Sequence, residues 1–250
     1  MAVERRDPLA GRPLKGVPSV PVASRPAPPR VPPRPVARAV ASPPLRRLVL
    51  WPALLTLAVT LLRLAGELQG WSPSVWSRLP GGGLSPLGIA WLAPLVGVVL
   101  GWKLERAGVR SPGSSRAIGL PVAALVSGLL VAALLERVLK PSWTANLVLW
   151  GVVATGVAAA AAAAWPALGK ALLVYAAAAR VPVAIVMAVA IFRNWGTHYD
   201  APPPGFLPML PLRRWLWTGL LPQATVWVAW TVATGAIGGA LGSMAARRRL

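Results

Sequence analysis

Read as a string of apolar and polar positions, the chain falls into two parts. Up to about residue 46 no apolar cluster forms, and from Leu48 onward long apolar runs alternate with short polar breaks. Six runs, near 48–67, 84–103, 118–139, 145–166, 171–193 and 215–242, approach the about 20 helical residues needed to cross a hydrocarbon core of about 30 Å. They are continuous rather than alternating, which predicts helices and not the two-residue period of a membrane barrel. The expected fold is therefore all-α: a polytopic transmembrane bundle of six spans over 47–250, preceded by a disordered tail over 1–46. The fourth run carries Ala158 to Ala164, which inserts less strongly than Leu or Ile. Leu147, Val148, Leu149, Trp150, Val152 and Val153 compensate. The short break Trp165-Pro166-Ala167-Leu168-Gly169-Lys170 predicts an antiparallel hairpin between spans four and five.

Composition supports this division. Charged residues make up only 13% of the chain and hydrophobic ones 56%, far from the balance of a water-soluble domain. The tail holds twelve of the 28 prolines, and the stretch from Arg25 to Pro35 reads as a stiff, solvated, basic tether of polyproline type. The first apolar run starts too far from the N-terminus for a secretory signal peptide.

The net charge of +20 resembles a nucleic-acid signature, but the basic residues mostly flank the apolar runs. Anionic lipid at the basic tail is thus the expected partner, and no nucleic acid. With the N-terminus inside, Arg34, Arg38, Arg46, Arg47, Lys103, Arg106, Arg110, Arg116, Lys170, Arg247, Arg248 and Arg249 lie on the cytoplasmic side. Arg78, Arg137, Lys140, Arg193, Arg213 and Arg214 lie outside. This two-to-one bias predicts a multi-pass protein of the cell membrane with both termini cytoplasmic. Trp51, Trp102 and Trp165 on one side and Trp71, Trp76, Trp143, Trp195, Trp215 and Trp217 on the other suit interfacial belts.

Small residues recur at four-residue spacing: Gly97 and Gly101, Gly151 and Thr155, Gly156 and Ala160, Gly235 and Gly239, Gly238 and Gly242. Such pairs let helix backbones approach closely, within one bundle or, through span six, in a homo-oligomer. A partner within a membrane complex is the other expectation.

Chemistry has little to draw on. The chain has no Cys, one His and six acidic residues, so thiol chemistry is excluded and few metal cages or acid–base pairs can be built. The hydrolase elbow, the zinc-protease motif, a phosphate loop and paired intramembrane aspartates are all missing; Gly81-Gly82-Gly83 reads as an outer loop. The sequence leans against an enzyme and predicts no cofactor.

What remains are ionisable groups in or beside the spans, each costly in lipid. Arg63 and Glu67 stand four apart on one helix face, the spacing of an ion pair. Glu136 ends span three, and the connection Arg193 to Phe206 carries His198 and Asp200. In the six-span topology His198, Asp200, Glu67 and Glu136 share one membrane level, an outer mouth that would suit a divalent cation, a proton relay or a lipid headgroup. About nine residues into span five lies Arg180, roughly 14 Å deep at 1.5 Å per residue, too far for easy snorkelling to either side. Its expected partners are the Ala178 carbonyl freed by Pro182, then Gln223, Tyr175 and Thr60, or an anionic group entering from outside. These features predict a small transporter or a membrane-embedded accessory or scaffold subunit with a polar outward mouth. The alternative is a lipid- or metal-dependent membrane enzyme using the His198/Asp200 loop.

Overall fold

The helices start and stop where local chemistry dictates. In the computed structural model, which describes residues 43–80, 89–203 and 205–248, α1 spans Leu45–Leu68, α2 Leu92–Arg106, α3 Ser114–Leu139, α4 Trp143–Ala164 and α5 Pro166–Arg193. Lys140 and Asn194 close α3 and α5 in the left-handed conformation. Ser142 caps α4 by accepting the Ala145 N–H, and Pro166 opens α5 at a position where its missing N–H costs nothing. The last apolar run is one long helical path with a defect: α6 (Pro211–Arg214), a π-helical turn (Trp215–Leu220), α7 (Leu221–Ala224) and α8 (Val226–Arg247). Pro222 removes a backbone donor there, and Thr225, at φ −120 and ψ −77, breaks the path before α8. The tail up to residue 42, the Gly81–Gly83 loop, Leu84–Pro86 and Arg249 lie outside the described residues.

All described regular structure is helical, and the helices belong to one unit, Val40–Leu250. Five helical paths are long and apolar enough to cross a membrane: Leu45–Leu68, Ser115–Leu139, Trp143–Ala164, Pro166–Arg193 and Pro211–Arg247. The Ala-rich fourth run is among them as a full helix of 22 residues. Of the six spans expected from the sequence, the second differs from the rest. The helix of the second run is α2, with 15 residues, roughly 22 Å long at 1.5 Å per residue. It begins at Leu92, eight residues later than the apolar run itself.

α2 lies parallel to α8 at backbone contact. A Cβ added to Gly97 or Gly101 would overlap the carbonyl oxygen of Gly235 or Gly239, and one on Gly238 or Gly242 would overlap that of Pro94 or Val98. The small residues of span six are therefore spent inside the chain, on α2 and on Leu168 and Leu172 of α5. The fully buried Leu100, Leu104, Leu168, Leu172, Tyr175 and Val232 fill the core between these helices. At one end, Glu105 accepts two hydrogen bonds from Arg247 (2.8 and 3.3 Å) and one from the Ser111 N–H (2.9 Å), tying α2 to α8.

Candidate functional site

At the opposite end the shortness of α2 has a consequence. Above its first turn, α1, α5, the 198–203 connection and the irregular helix around Pro222 enclose a cavity of about 560 Å³. Trp91, Trp143, Trp227 and Trp230 form its aromatic walls, and Arg180, Gln223, Arg63 and His198 contribute its polar groups. Trp91 and Trp230 are 44% and 42% exposed, so the aromatic wall reaches the surface of the protein. Trp230 Nε1–H donates to the Ala90 carbonyl (3.1 Å), which holds the chain entering α2 against α8.

Arg180 sits at the middle of α5, roughly 20 Å from either helix end at 1.5 Å per residue, and its side chain is buried. Nη2 donates to Thr231 Oγ1 (3.0 Å), whose own hydroxyl donates to the Trp227 carbonyl (2.8 Å). The guanidinium carbon stands 5.1 Å from the centroid of the Trp227 ring. Nε is buried without a hydrogen-bond partner, and no carboxylate among the described residues pairs with Arg180. Gln223, in the irregular stretch, offers its amide nitrogen only the Met187 sulfur (3.7 Å), and its Oε1 is buried without a partner.

The expected neighbours of Arg180 thus divide. Gln223 lines the same cavity, whereas Tyr175 hydrogen-bonds to Thr56 Oγ1 (2.9 Å) and the Thr60 hydroxyl donates to the Thr56 carbonyl (2.9 Å). In place of the Ala178 carbonyl, the Thr231 hydroxyl accepts from Arg180 and the Trp227 ring faces its guanidinium.

The charges at this end of the bundle form a layered cluster at the cavity wall. Arg63 Nε donates to Glu67 Oε1 (2.8 Å), the i,i+4 pair that the spacing predicts, and Arg63 Nη2 donates to the Ser77 carbonyl (2.9 Å). Glu67 also accepts from the His198 backbone N–H (2.8 Å) and lies 2.6 Å from His198 Nδ1. An ionised Glu67 only accepts, so Nδ1 carries the proton there and Nε2 is the acceptor of a neutral ring. Burial holds the His198 imidazole below its ordinary value, and Glu67 opposes that shift. Burial likewise pushes the Tyr199 hydroxyl up; it donates to the Thr60 carbonyl (3.2 Å) and pins the loop to α1.

Asp200 and Glu136 do not join this cluster, which corrects the expected convergence of four residues. Asp200 turns back on its own loop, accepting from Gly196 N (2.9 Å), Thr197 N (2.7 Å) and Thr197 Oγ1 (2.7 Å). Such short-range side-chain capping is what Asp does after a turn, and it fixes the connection that carries His198. Arg214 donates to the Asp200 carbonyl and so ties the irregular helix to the same loop. Glu136 accepts from Asn146 Nδ2 (3.0 Å) and Trp150 Nε1 (3.3 Å), joining α3 to α4 away from the cavity. Among the described residues no three His, Asp or Glu side chains gather where they could hold a metal ion.

Thr231 and the Glu105–Arg247 pair are the residues that sequence reasoning missed. A threonine inside an apolar helix was the available sign for the first, and an acidic residue in the last turn of a short helix for the second. No protein-family profile, curated protein or solved structure matches the chain.

Proposed function

We propose that this integral membrane protein binds a small solute in the cavity between α1, α4, α5 and the irregular last helix, and acts as a small transporter or as the solute-holding subunit of a membrane complex. One observation carries the reading: a cavity of about 560 Å³, the size range of small-molecule sites, holds buried polar atoms that no protein group satisfies. A buried donor or acceptor without a partner costs about 1–3 kcal/mol, and two of the three such atoms among the described residues belong to residues of this one cavity. The π-helical turn and Pro222 support the reading, since a defect of this kind in a membrane helix exposes backbone and side-chain groups to a cavity. The positive-inside bias orients the mouth away from the cytoplasm, with the Glu105–Arg247 lock closing the cytoplasmic end.

An enzyme working through His198 and Asp200 needs both groups to face one space, whereas Asp200 is occupied by three donors of its own loop. The solute reading asks nothing of Asp200 beyond loop shape.

The test is native mass spectrometry of the protein released from native membranes. The wild type should carry a small-molecule adduct, and Ala201→Trp, which fills the cavity from its loop side, should lose it while keeping its thermal midpoint. Identical adduct profiles for the two proteins would remove the cavity as the binding site.

A further inference from the structure

Two buried atoms of residues that line the cavity, the Arg180 Nε donor and the Gln223 Oε1 acceptor, have complementary needs. From them we infer that the occupant is an organic anion whose charged group is flanked by a hydroxyl or amino donor and carried on an apolar or aromatic body. This inference rests on the reading of the cavity as a binding site and names what that site takes.

The guanidinium is permanently charged, presents five donors and suits the planar fork of a carboxylate or phosphate. Its protein partners are a neutral hydroxyl and the face of an indole, both of which tolerate the charge without neutralising it. Glu67, whose partners Arg63 and His198 line the cavity, is already engaged by both. An anion entering the cavity is therefore the group that completes the Nε edge. An anion alone would leave Gln223 Oε1 unsatisfied or repelled, because a carbonyl oxygen accepts and cannot donate. An anion that also carries a donor, as a 2-hydroxy or 2-amino acid does, supplies what each of the two atoms lacks. The remaining walls are aromatic, and apolar surface against Trp91, Trp143, Trp227 and Trp230 gains from leaving water. The same chemistry, an anion beside hydroxyls on an apolar body, is found in a soluble aryl hydroxy acid and in the headgroup of phosphatidylglycerol.

The experiment is calorimetry on the full chain in phosphatidylcholine nanodiscs with three probes of one shape: 3-phenyllactate, 3-phenylpropanoate and 3-phenylpropane-1,2-diol. Phenyllactate should bind saturably, phenylpropanoate about tenfold more weakly for want of one hydrogen bond, and the diol not measurably. Gln223→Leu should level the two acids. Arg180→Lys, which keeps the charge and loses the fork, should weaken both by about tenfold, and Arg180→Gln should abolish both. If Arg180→Gln does not fold, Arg180→Lys and Gln223→Leu carry the test. Phosphatidylglycerol in the disc separates the two sources of the anion: displacement of phenyllactate assigns the site to the lipid headgroup, and undiminished binding assigns it to a soluble acid. Diol binding equal to that of phenyllactate, unaffected by Arg180→Lys, would overturn the anion and leave the cavity as a site. No binding by any probe, together with unchanged adducts in Ala201→Trp, would overturn both.

Discussion

His198 shows how one side chain can link loop position to pH. Its ring is held below its ordinary value by burial, so the unfolded chain takes up the proton at a higher pH than the folded one. Between the two values the folded state binds fewer protons, and stability rises with pH across that window. The contribution is unaffected above pH of about 6.5 and is lost progressively as pH falls through the folded-state value. The thermal midpoint of the purified protein should therefore drop between pH 7.5 and pH 5. His198→Asn keeps an N–H toward Glu67 but does not titrate, and should flatten that drop. Equal pH slopes in the two proteins would show that His198 does not set it. Some of this was readable in advance: the four-residue spacing of Arg63 and Glu67 predicts their bond, and the placement of His198 at the outer end predicts its nearness to Glu67. Asp200 was misread because residues 198 and 200 are close in sequence, while the turn at Gly196 bends the carboxylate onto backbone amides. The choice of Thr231 over Tyr175 for Arg180 depends on the rotation of α8 about its axis, which no local pattern in α5 encodes.

Among the elements, the α2–α8 pair depends most on residue size. Gly97 and Gly101 face backbone oxygens of α8, so a side chain there must push the helices apart. Gly97→Leu should cost about 1–3 kcal/mol, the range of overpacking substitutions, read as a lower denaturation midpoint in detergent. Gly156, on the exposed face of α4, meets nothing within 4 Å, so Gly156→Ala should leave stability unchanged or raise it by up to about 1 kcal/mol through helix propensity. A loss at Gly156 as large as that at Gly97 would mean that α4 packs against another chain. The four-residue spacing flagged both sites alike, and only the fold distinguishes them. Apolar runs predicted the presence of every long helix, including the Ala-rich α4, because hydropathy over about 20 residues is a property of composition. They did not predict that α2 begins at Leu92, since Leu87 to Trp91 are as apolar as the helix that follows. Nor did they separate α6 through α8, although Gly219 and Pro222 within one apolar run are the residues at which a membrane helix departs from regularity.

For the molecule as a whole, side-chain contacts sort the loops into two ends independently of any membrane. Arg63 joins Ser77 to Glu67, and Glu67 in turn holds His198, so the α1–α2 connection and the α5–α6 connection share one end. Arg116 donates to the Ala163 carbonyl and Arg247 to Glu105, which places the α2–α3 connection, the α4–α5 turn and the C-terminus of α8 at the other. The chain therefore passes between the ends between Ser77 and Glu105, and the short α2 makes part of that passage. Arg46, Arg47, Lys103, Arg106, Arg110, Arg116, Lys170, Arg247 and Arg248 belong to the second end, while Arg78, Arg137, Lys140, Arg193, Arg213 and Arg214 belong to the first. The positive-inside rule predicts that the second end faces the cytoplasm. A reporter active only in the cytoplasm should then work when fused after Arg116 or Lys170 and stay silent after Ser77 or Asp200. The contacts sharpen the test beyond charge counting, because Ser77 and Asp200 must agree with each other whichever way the protein inserts. Agreement with both active would invert the orientation and aim the cavity mouth at the cytoplasm. Disagreement between them would break the Arg63–Glu67–His198 assembly itself, because one membrane face cannot hold both ends of a 2.6 Å contact while the reporters find them on opposite sides.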